Sequence, residues 1–434
     1  MNDSPSVTSE TLRSFAHRTP DSKSFISAKK TPSMVLDDTT AQVNMVALRA
    51  YRLARLQAEL RAGGYAAALL NDPINVRYAT GTRNMTVWLL HNQGRYCIVP
   101  PEGKVVLFEY ANNNCRDMAR GIEVVGEIRR AKGWSYFFAG EHATDVCEAW
   151  ADEVADVVKG FGGDGRRIAV DRVEPMGSHA LEARGFTLHE GQEVCERARS
   201  IKSAEEVACM GIAMVAADVG MARMRNALRP GITENQLWAE LHYANIAAGG
   251  EWIETRILSS GGRTNPWMQE AGDRVIRPGD LVSFDTDLIG PYGYCADVSR
   301  TFFCGPGRPS DEQRMLYGLA MEQIHHNGEL VGPGVSFREL RGKAWKVPDR
   351  FDEQKYSSIA HGVGLCDEWP VIAYGGIGRK PQDGTLEPGM VVCIESYIGE
   401  KHGAEGVKLE QQLLVTENGA ESLSTFPFEE DLYG

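Results

Sequence analysis

A chain of 434 residues is longer than one hydrophobic core usually organises, so two domains are expected. Its 43% hydrophobic and 24% charged content is that of an ordinary globular protein, and a net charge of −13 disfavours nucleic acid or an anionic membrane as a partner. Nine scattered cysteines without CxxC spacing argue for reduced thiols in the cytoplasm; no apolar run approaches the ~20 residues that span a bilayer, and the N-terminus lacks the apolar stretch of a secretory signal.

Residues 1–42 are rich in Ser, Thr, Asp and Pro and read as a disordered or extended arm. From Val43, apolar residues at helical spacing run to Leu60, and Gly63-Gly64 stops them. AAALL (66–70) reads as a buried strand followed by a turn at Asn71-Asp72-Pro73. TVWLL, YCIVP and VVLFEY read as further strands of one sheet. A helical stretch around 141–159, the strand RIAVDR and alternating elements complete a first α/β domain over residues 43–198. His142, His179 and His189 are widely separated within it and read as structural.

The second domain, residues 199–434, opens with the capping box Ser203-Ala-Glu-Glu206 before a long helix, and Thr233-Glu-Asn-Gln236 opens the next by the same device. Strands, helices at about 311–330 and 336–346, and strands to the end describe an α+β domain. Within it, SFDTDLIGPYGYCADVSR (283–300) reads as two strands joined at Gly290-Pro291-Tyr292-Gly293. Alternation puts Asp285 and Asp287 on one face, and the return brings Asp297 beside them. A solvated acidic hairpin is opposed by the core-like flanks LVSF and VSRTFF. Three like charges on one sheet face need a cation to hold them together. Downstream, His361 lies in SSIAHGVGLCDEW, Glu395 in GMVVCIESYIG and Glu410 in GVKLEQQLLV. A carboxylate inside a buried strand is costly unless paired or coordinated. Together these residues make five carboxylates and one imidazole, enough for two metal ions bridged by carboxylates.

This order of Asp, Asp, His, Glu and Glu resembles the pita-bread fold of methionine aminopeptidase, aminopeptidase P, prolidase and creatinase. RPGDLVSFD and GYCADVSRTF are similar to the family's two Asp strands, AHGVGL to its metal-His loop, and EPGMVVCIE and GVKLEQQLLVTENG to its two Glu strands. Residues from about 46 to 80 resemble the opening of the creatinase-like α/β domain that commonly precedes it. The resemblance covers about residues 46–425. It implies a C-terminal pita-bread catalytic domain, an N-terminal creatinase-like α/β domain and a homodimer.

The departures from that family narrow the reading. Its peptidases carry a second His seven residues after the metal His, where this chain has Glu368. They also carry a His upstream of the first Asp strand, where GGRTNPWMQEAG has none. Their Asp-x-Gly motif is here Asp285-Thr-Asp287. These differences resemble the DddP-type dimethylsulfoniopropionate lyases. That resemblance implies that Asp285, Asp287, Asp297, His361, Glu395 and Glu410 hold two metal ions, iron in preference to zinc or manganese. It also implies that Asp367 is the base and Tyr356 a pocket residue. The expected substrate is a small zwitterionic sulfonium compound, whose cationic end aromatic faces such as Tyr356, Trp267 or Trp369 would hold. Cys366 reads as a small packed residue. The competing reading is a metallo-aminopeptidase or prolidase-like hydrolase acting on X-Pro or related substrates.

Overall fold

A computed structural model describes residues 43–110, 118–162, 165–375 and 380–433. The expected N-terminal arm, 1–42, lies outside the described residues. The chain divides into two compact units between Arg199 and Ser200.

In the N-terminal unit, α1 (Met45–Ala62) is capped by Asn44, whose side chain accepts from Ala47 N, and ends at Gly63. The run 71–73, expected as a plain turn, instead starts α2 (Pro73–Thr80): Asp72 caps it, accepting from Ile74 N at 2.8 Å, and Pro73 sits where a helix has no use for an N–H. TVWLL is likewise a helical turn, Thr86–Leu89, and not a strand. The six strands are β1 (Ala67–Leu70), β2 (Tyr96–Val99), β3 (Val105–Glu109), β4 (Val125–Arg130), β5 (Arg167–Val170) and β6 (Thr187–Glu190). They form one mixed sheet in the order β4-β3-β2-β1-β5-β6. Helices α3 (Ala143–Gly160) and α4 (Pro175–Ala183) contribute Trp150, Val154 and Leu181 to the core against Ile98, Phe108 and Ile168, before α5 (Gly191–Ser200) leads out.

The C-terminal unit opens with α6 (Ala204–Ala227) and α7 (Glu234–Ala247), each entered through a complete capping box, Ser203/Glu206 and Thr233/Gln236. Contrary to expectation, α6 is long and apolar enough by composition to cross a bilayer; more than half of that stretch is buried within the fold, as in a core helix. Two three-stranded sheets follow. One has the order β12-β9-β8, from β8 (Leu258–Ser260), β9 (Leu281–Asp285) and β12 (Ser299–Phe303). The other has the order β11-β10-β7, from β7 (Trp252–Ile253), β10 (Leu288–Ile289) and β11 (Cys295–Ala296).

Helices α8 (Asp311–Glu329) and α9 (Phe337–Lys343) precede a five-stranded antiparallel sheet. Its members are β13 (Ser358–Val363), β14 (Asp367–Ala373), β15 (Val391–Gly399), β16 (Gly406–Thr416) and β17 (Gly419–Ser422), in the order β14-β13-β15-β16-β17. The period of two decides what this sheet does. Val392, Ile394, Ile398, Val407, Leu409 and Val415 join Ile324 and Tyr317 of α8 in one core. Each fully buried aliphatic contributes about 1.5–3 kcal/mol. The alternate residues Cys393, Glu395, Lys408, Glu410 and Gln412 are thereby turned to the opposite face.

The acidic hairpin is not continuous. β9 pairs with β12, with Asp285 opposite Ser299, and β10 pairs with β11, with Leu288 opposite Ala296. Between the two ladders, Thr286 takes over the backbone's partners: its hydroxyl donates to Ala296 O at 2.8 Å and accepts from Val298 N at 2.9 Å. Asp287 therefore lies in the break with φ 35°, not on a regular pleat. Asp285 and Asp287 converge because the strand kinks, and simple alternation does not describe them.

Candidate metal centre

Three strand systems deliver the ligand-type side chains. The break between β9 and β10 presents Asp285 and Asp287, and the matching break between β11 and β12 presents Asp297. The pleats of β13, β15 and β16 present His361, Glu395 and Glu410, with Glu395 directly opposite Glu410 and His361 opposite Cys393. The structure brings all six together. Ligand atoms of Asp285, Asp287 and Asp297 lie within 4.8 Å of one another, as do those of Asp297, His361, Cys393 and Glu410. All six predicted residues are buried, Glu410 completely.

The donor set fits cations. Asp285 Oδ1, Asp297 Oδ1 and Glu410 Oε1 are buried carboxylate oxygens that accept no hydrogen bond, an expensive arrangement for a chain without a cation to receive them. His361 Nδ1 contacts Gly362 O at 3.1 Å, which fixes the proton on that nitrogen. Nε2 then faces the cluster, 3.2 Å from Glu395 and 3.5 Å from both Asp297 and Glu410. Burial raises Asp285 and Asp297 well above the usual carboxylate range, with Glu410's charge adding to it, and pushes Asp287 up to about 7. Burial opposes charge on His361, but Glu395 and Glu410 carry it well above the usual histidine range.

Sequence reasoning missed Lys408. Its ammonium is fully buried, 2.6 Å from Ser299 Oγ, 2.7 Å from Glu395 Oε2, 2.9 Å from Glu410 Oε2 and 3.4 Å from Asp285 Oδ2. Burial alone would depress it, yet Asp285, Glu395 and Glu410 hold it well above the usual lysine range. Lys408 also offsets Glu410, whose carboxyl stays well below the ordinary range despite burial. The signal was available, since Lys408 is two residues before Glu410 and shares its face of β16. Three further residues were missed. Thr255 donates from Oγ1 to Asp287 at 2.5 Å, Gln412 accepts from Asp297 N at 2.9 Å, and Ser299 donates to Glu410 at 2.8 Å.

Lys408→Met is expected to leave two facing buried carboxylates without their cation and to lower unfolding free energy by roughly 3–5 kcal/mol. Urea denaturation of chelator-treated protein measures this, and an unchanged midpoint contradicts it.

Asp367 starts β14 at the edge of the cluster, with Oδ1 3.7 Å from His361 Nδ1 and 61% of the side chain open. The surrounding protein raises its pKa, Glu410 and Glu368 raise it further, and His361 opposes them. Tyr356 and Trp267 both reach the site, with Lys408 Nζ 5.0 Å and 5.6 Å from their ring centroids, so one face of each is already given to an ammonium. Glu395's charge, then burial, raise the Tyr356 hydroxyl far above its ordinary range, so it stays a neutral phenol. Trp369 is not brought to the cluster. It packs edge-on against Phe337 at 5.4 Å, because two residues along a strand carry it about 7 Å beyond Asp367.

The raised carboxylates and His361 mean that the folded chain binds more protons than the unfolded chain in the neutral range. Their contribution is present in mild acid and fades as pH rises through the folded pKa values, about 7 for Asp287. Glu410 has the opposite sign, and its contribution is lost only in acid below the ordinary glutamate range. Chelator-treated protein is therefore expected to show a Tm that falls as pH rises from about 5 to 8, and added divalent metal should reverse the trend by displacing those protons. Calorimetry across that range tests it; a Tm that rises with pH in chelator contradicts it.

Comparison with known proteins agrees with this architecture. Residues 52–201 match the creatinase/prolidase N-terminal domain and residues 208–417 match metallopeptidase family M24. The chain is 40% identical over 399 residues to dimethylsulfoniopropionate lyase DddP of Roseobacter denitrificans, covering 90% of this chain and 88% of that protein. Against the protein of the same name from Roseovarius nubinhibens it is 40% identical over 395 residues, covering 89% and 88%. Among solved structures, an Xaa-Pro dipeptidase from Bacillus anthracis superposes with a TM-score of 0.71 at 23% identity, covering 88% of this chain and 99% of that one, and so shares the fold. With its creatinase-type N-terminal domain, its M24 catalytic domain and this identity over nearly its whole length, the chain belongs to the DddP family of the pita-bread metallopeptidase superfamily.

Proposed function

We propose that the protein is a metal-dependent carbon–sulfur lyase that converts dimethylsulfoniopropionate to dimethyl sulfide and acrylate. One observation within the site carries this reading. Asp367 stands open beside His361, while Glu368, where related peptidases place a second His, is buried and turned to Lys202. An open carboxylate there can serve as a base, and a buried, paired glutamate offers no donor to a tetrahedral peptide intermediate at that position.

Asp285, Asp287, Asp297, His361, Glu395 and Glu410 would hold two metal ions, iron by family resemblance, with zinc or manganese as alternatives. A metal bound there supplies a Lewis acid for the substrate carboxylate, worth several kcal/mol to charge building on the adjacent carbon. Asp367 takes a proton from that carbon, and the C–H electrons become the carbon–carbon double bond. The C–S bond breaks with its electrons leaving on neutral dimethyl sulfide, and Asp367 passes its proton to water. His361, its Nδ1 proton held by Gly362 O, keeps a fixed orientation beside the base. Tyr356 and Trp267, each with one face turned to Lys408, would offer their remaining ring surface to the sulfonium.

The same reading takes the protein as a cytoplasmic homodimer without nucleic-acid or membrane partners. Support comes from the eight free cysteines among the described residues, the net charge of −13, and the exposed Tyr136 and Phe137 beside Trp88. Headspace dimethyl sulfide, measured beside hydrolysis of X-Pro dipeptides, tests the function. Peptide turnover without dimethyl sulfide would overturn it in favour of the hydrolase.

A further inference from the structure

Asp367 and Glu368 are consecutive carboxylates at the start of β14, and a strand turns consecutive side chains to opposite faces. One of them therefore meets the metal centre and the other the interior. A slip of one residue in the β13–β14 pairing would exchange them. The hairpin's own ladder pins the register weakly: its pairing already shifts between His361 and Gly362, and only residues 364–366 connect the strands.

The interior partner decides the register. Glu368 is buried, with Oε2 2.9 Å from Lys202 Nζ and Oε1 accepting from Leu365 N at 3.0 Å. Lys202 is itself buried just before α6, and its backbone N donates to Gly389 O at 2.8 Å, so the ammonium is not free to follow a moving hairpin. The turn closes round the carboxylate: a Cβ on Gly364 would lie 2.4 Å from Glu368 Oε2. Gly364 O in turn accepts from Cys295 N at 2.7 Å, two residues before Asp297.

We propose that the buried Lys202–Glu368 ion pair is a register lock that selects Asp367 as the carboxylate facing the metal centre. This rests on the assignment of Asp367 as the base. Lys202 and Glu368 are positioning residues, separated by 166 positions in the chain and joined only in the fold. A misplaced or uncharged pair lets the turn relax and moves the base, for which an ångström costs roughly 100-fold in rate.

The test separates positioning from stability. Lys202→Met/Glu368→Met removes both charges at similar volume, so Tm should stay near that of the parent protein. The expected result is a kcat lowered roughly 10- to 100-fold with KM and bound metal unchanged. A double variant with parental kcat overturns the lock. Should that variant fail to fold, Gly364→Ala serves instead, because it displaces the Glu368 carboxylate without altering charge. The same kcat-only loss supports the lock, and parental kcat overturns it. Asp367→Asn is measured alongside: an active Asp367→Asn overturns the base assignment, whereas an inert one with a fully active double variant overturns the lock alone.

Discussion

Asp367→Asn is expected to lower dimethyl sulfide formation by about 10³-fold while leaving bound metal unchanged, since positioned general bases contribute roughly 10²–10⁴-fold. The substitution keeps the size and shape of the side chain while removing its charge and its ability to accept a proton. Asp367 is not among the carboxylates whose ligand atoms cluster, so elemental analysis should report the parental stoichiometry. The pH dependence gives a second readout. The base must be ionised to act, and the surrounding protein, with Glu410 and Glu368, raises its pKa. Turnover should therefore fall on the acid side at a pH above the ordinary aspartate range, and that limb should vanish in the residual activity of the Asn variant. Activity within tenfold of the parent would remove Asp367 from the base role.

The contrast between Asp367 and Glu368 also shows what a sequence can carry. Their opposition across β14 follows from strand parity alone, but that Glu368 meets a buried partner is visible only in the fold, because Lys202 lies 166 positions away and no local pattern links them. The capping boxes at Ser203 and Thr233 were legible because a cap is a contact between residues three apart. TVWLL was misread because a short apolar run has no period to distinguish strand from helix; Trp88, Tyr110 and Phe138 packing together decides the matter. The six ligand-type residues could be found because each is a charge or an imidazole within apolar surroundings. Lys408 meets the same criterion, but a cation beside carboxylates in a strand reads as their ion-pair partner and not as a member of a metal site. Thr255 gave no signal at all: a threonine 32 residues from Asp287 becomes relevant only through the fold.

Asp287→Gly should make the protein more stable and far less active. Related peptidases carry glycine at this point, and the backbone gives the reason: Asp287 has φ 35°, in the left-handed region that glycine enters freely and that aspartate is among the few other residues to tolerate. This chain keeps the glycine conformation and adds a carboxylate. Strain of that kind costs about 1–3 kcal/mol, against which glycine's extra unfolded-state entropy costs about 0.5–1 kcal/mol. Burial adds a penalty for the charged form, expressed in a pKa of about 7. Together these give an expected gain of about 1 kcal/mol in chelator-treated protein, read as a higher urea midpoint. In the metal-loaded protein the change should cut metal affinity at least ~100-fold, more than losing an outer-shell partner such as Thr255 would, and dimethyl sulfide formation should fall with it. Asp287→Asn provides the control, because it retains the strained backbone and loses the charge: it should lose metal without the gain in stability from a relaxed φ. If Asp287→Gly retains full metal affinity, the added carboxylate is not a ligand. If it loses affinity but gains no stability, the backbone at this break is not strained. Only loss of metal together with a gain in stability shows that the chain tolerates an unfavourable backbone to place a fifth carboxylate at the metal centre.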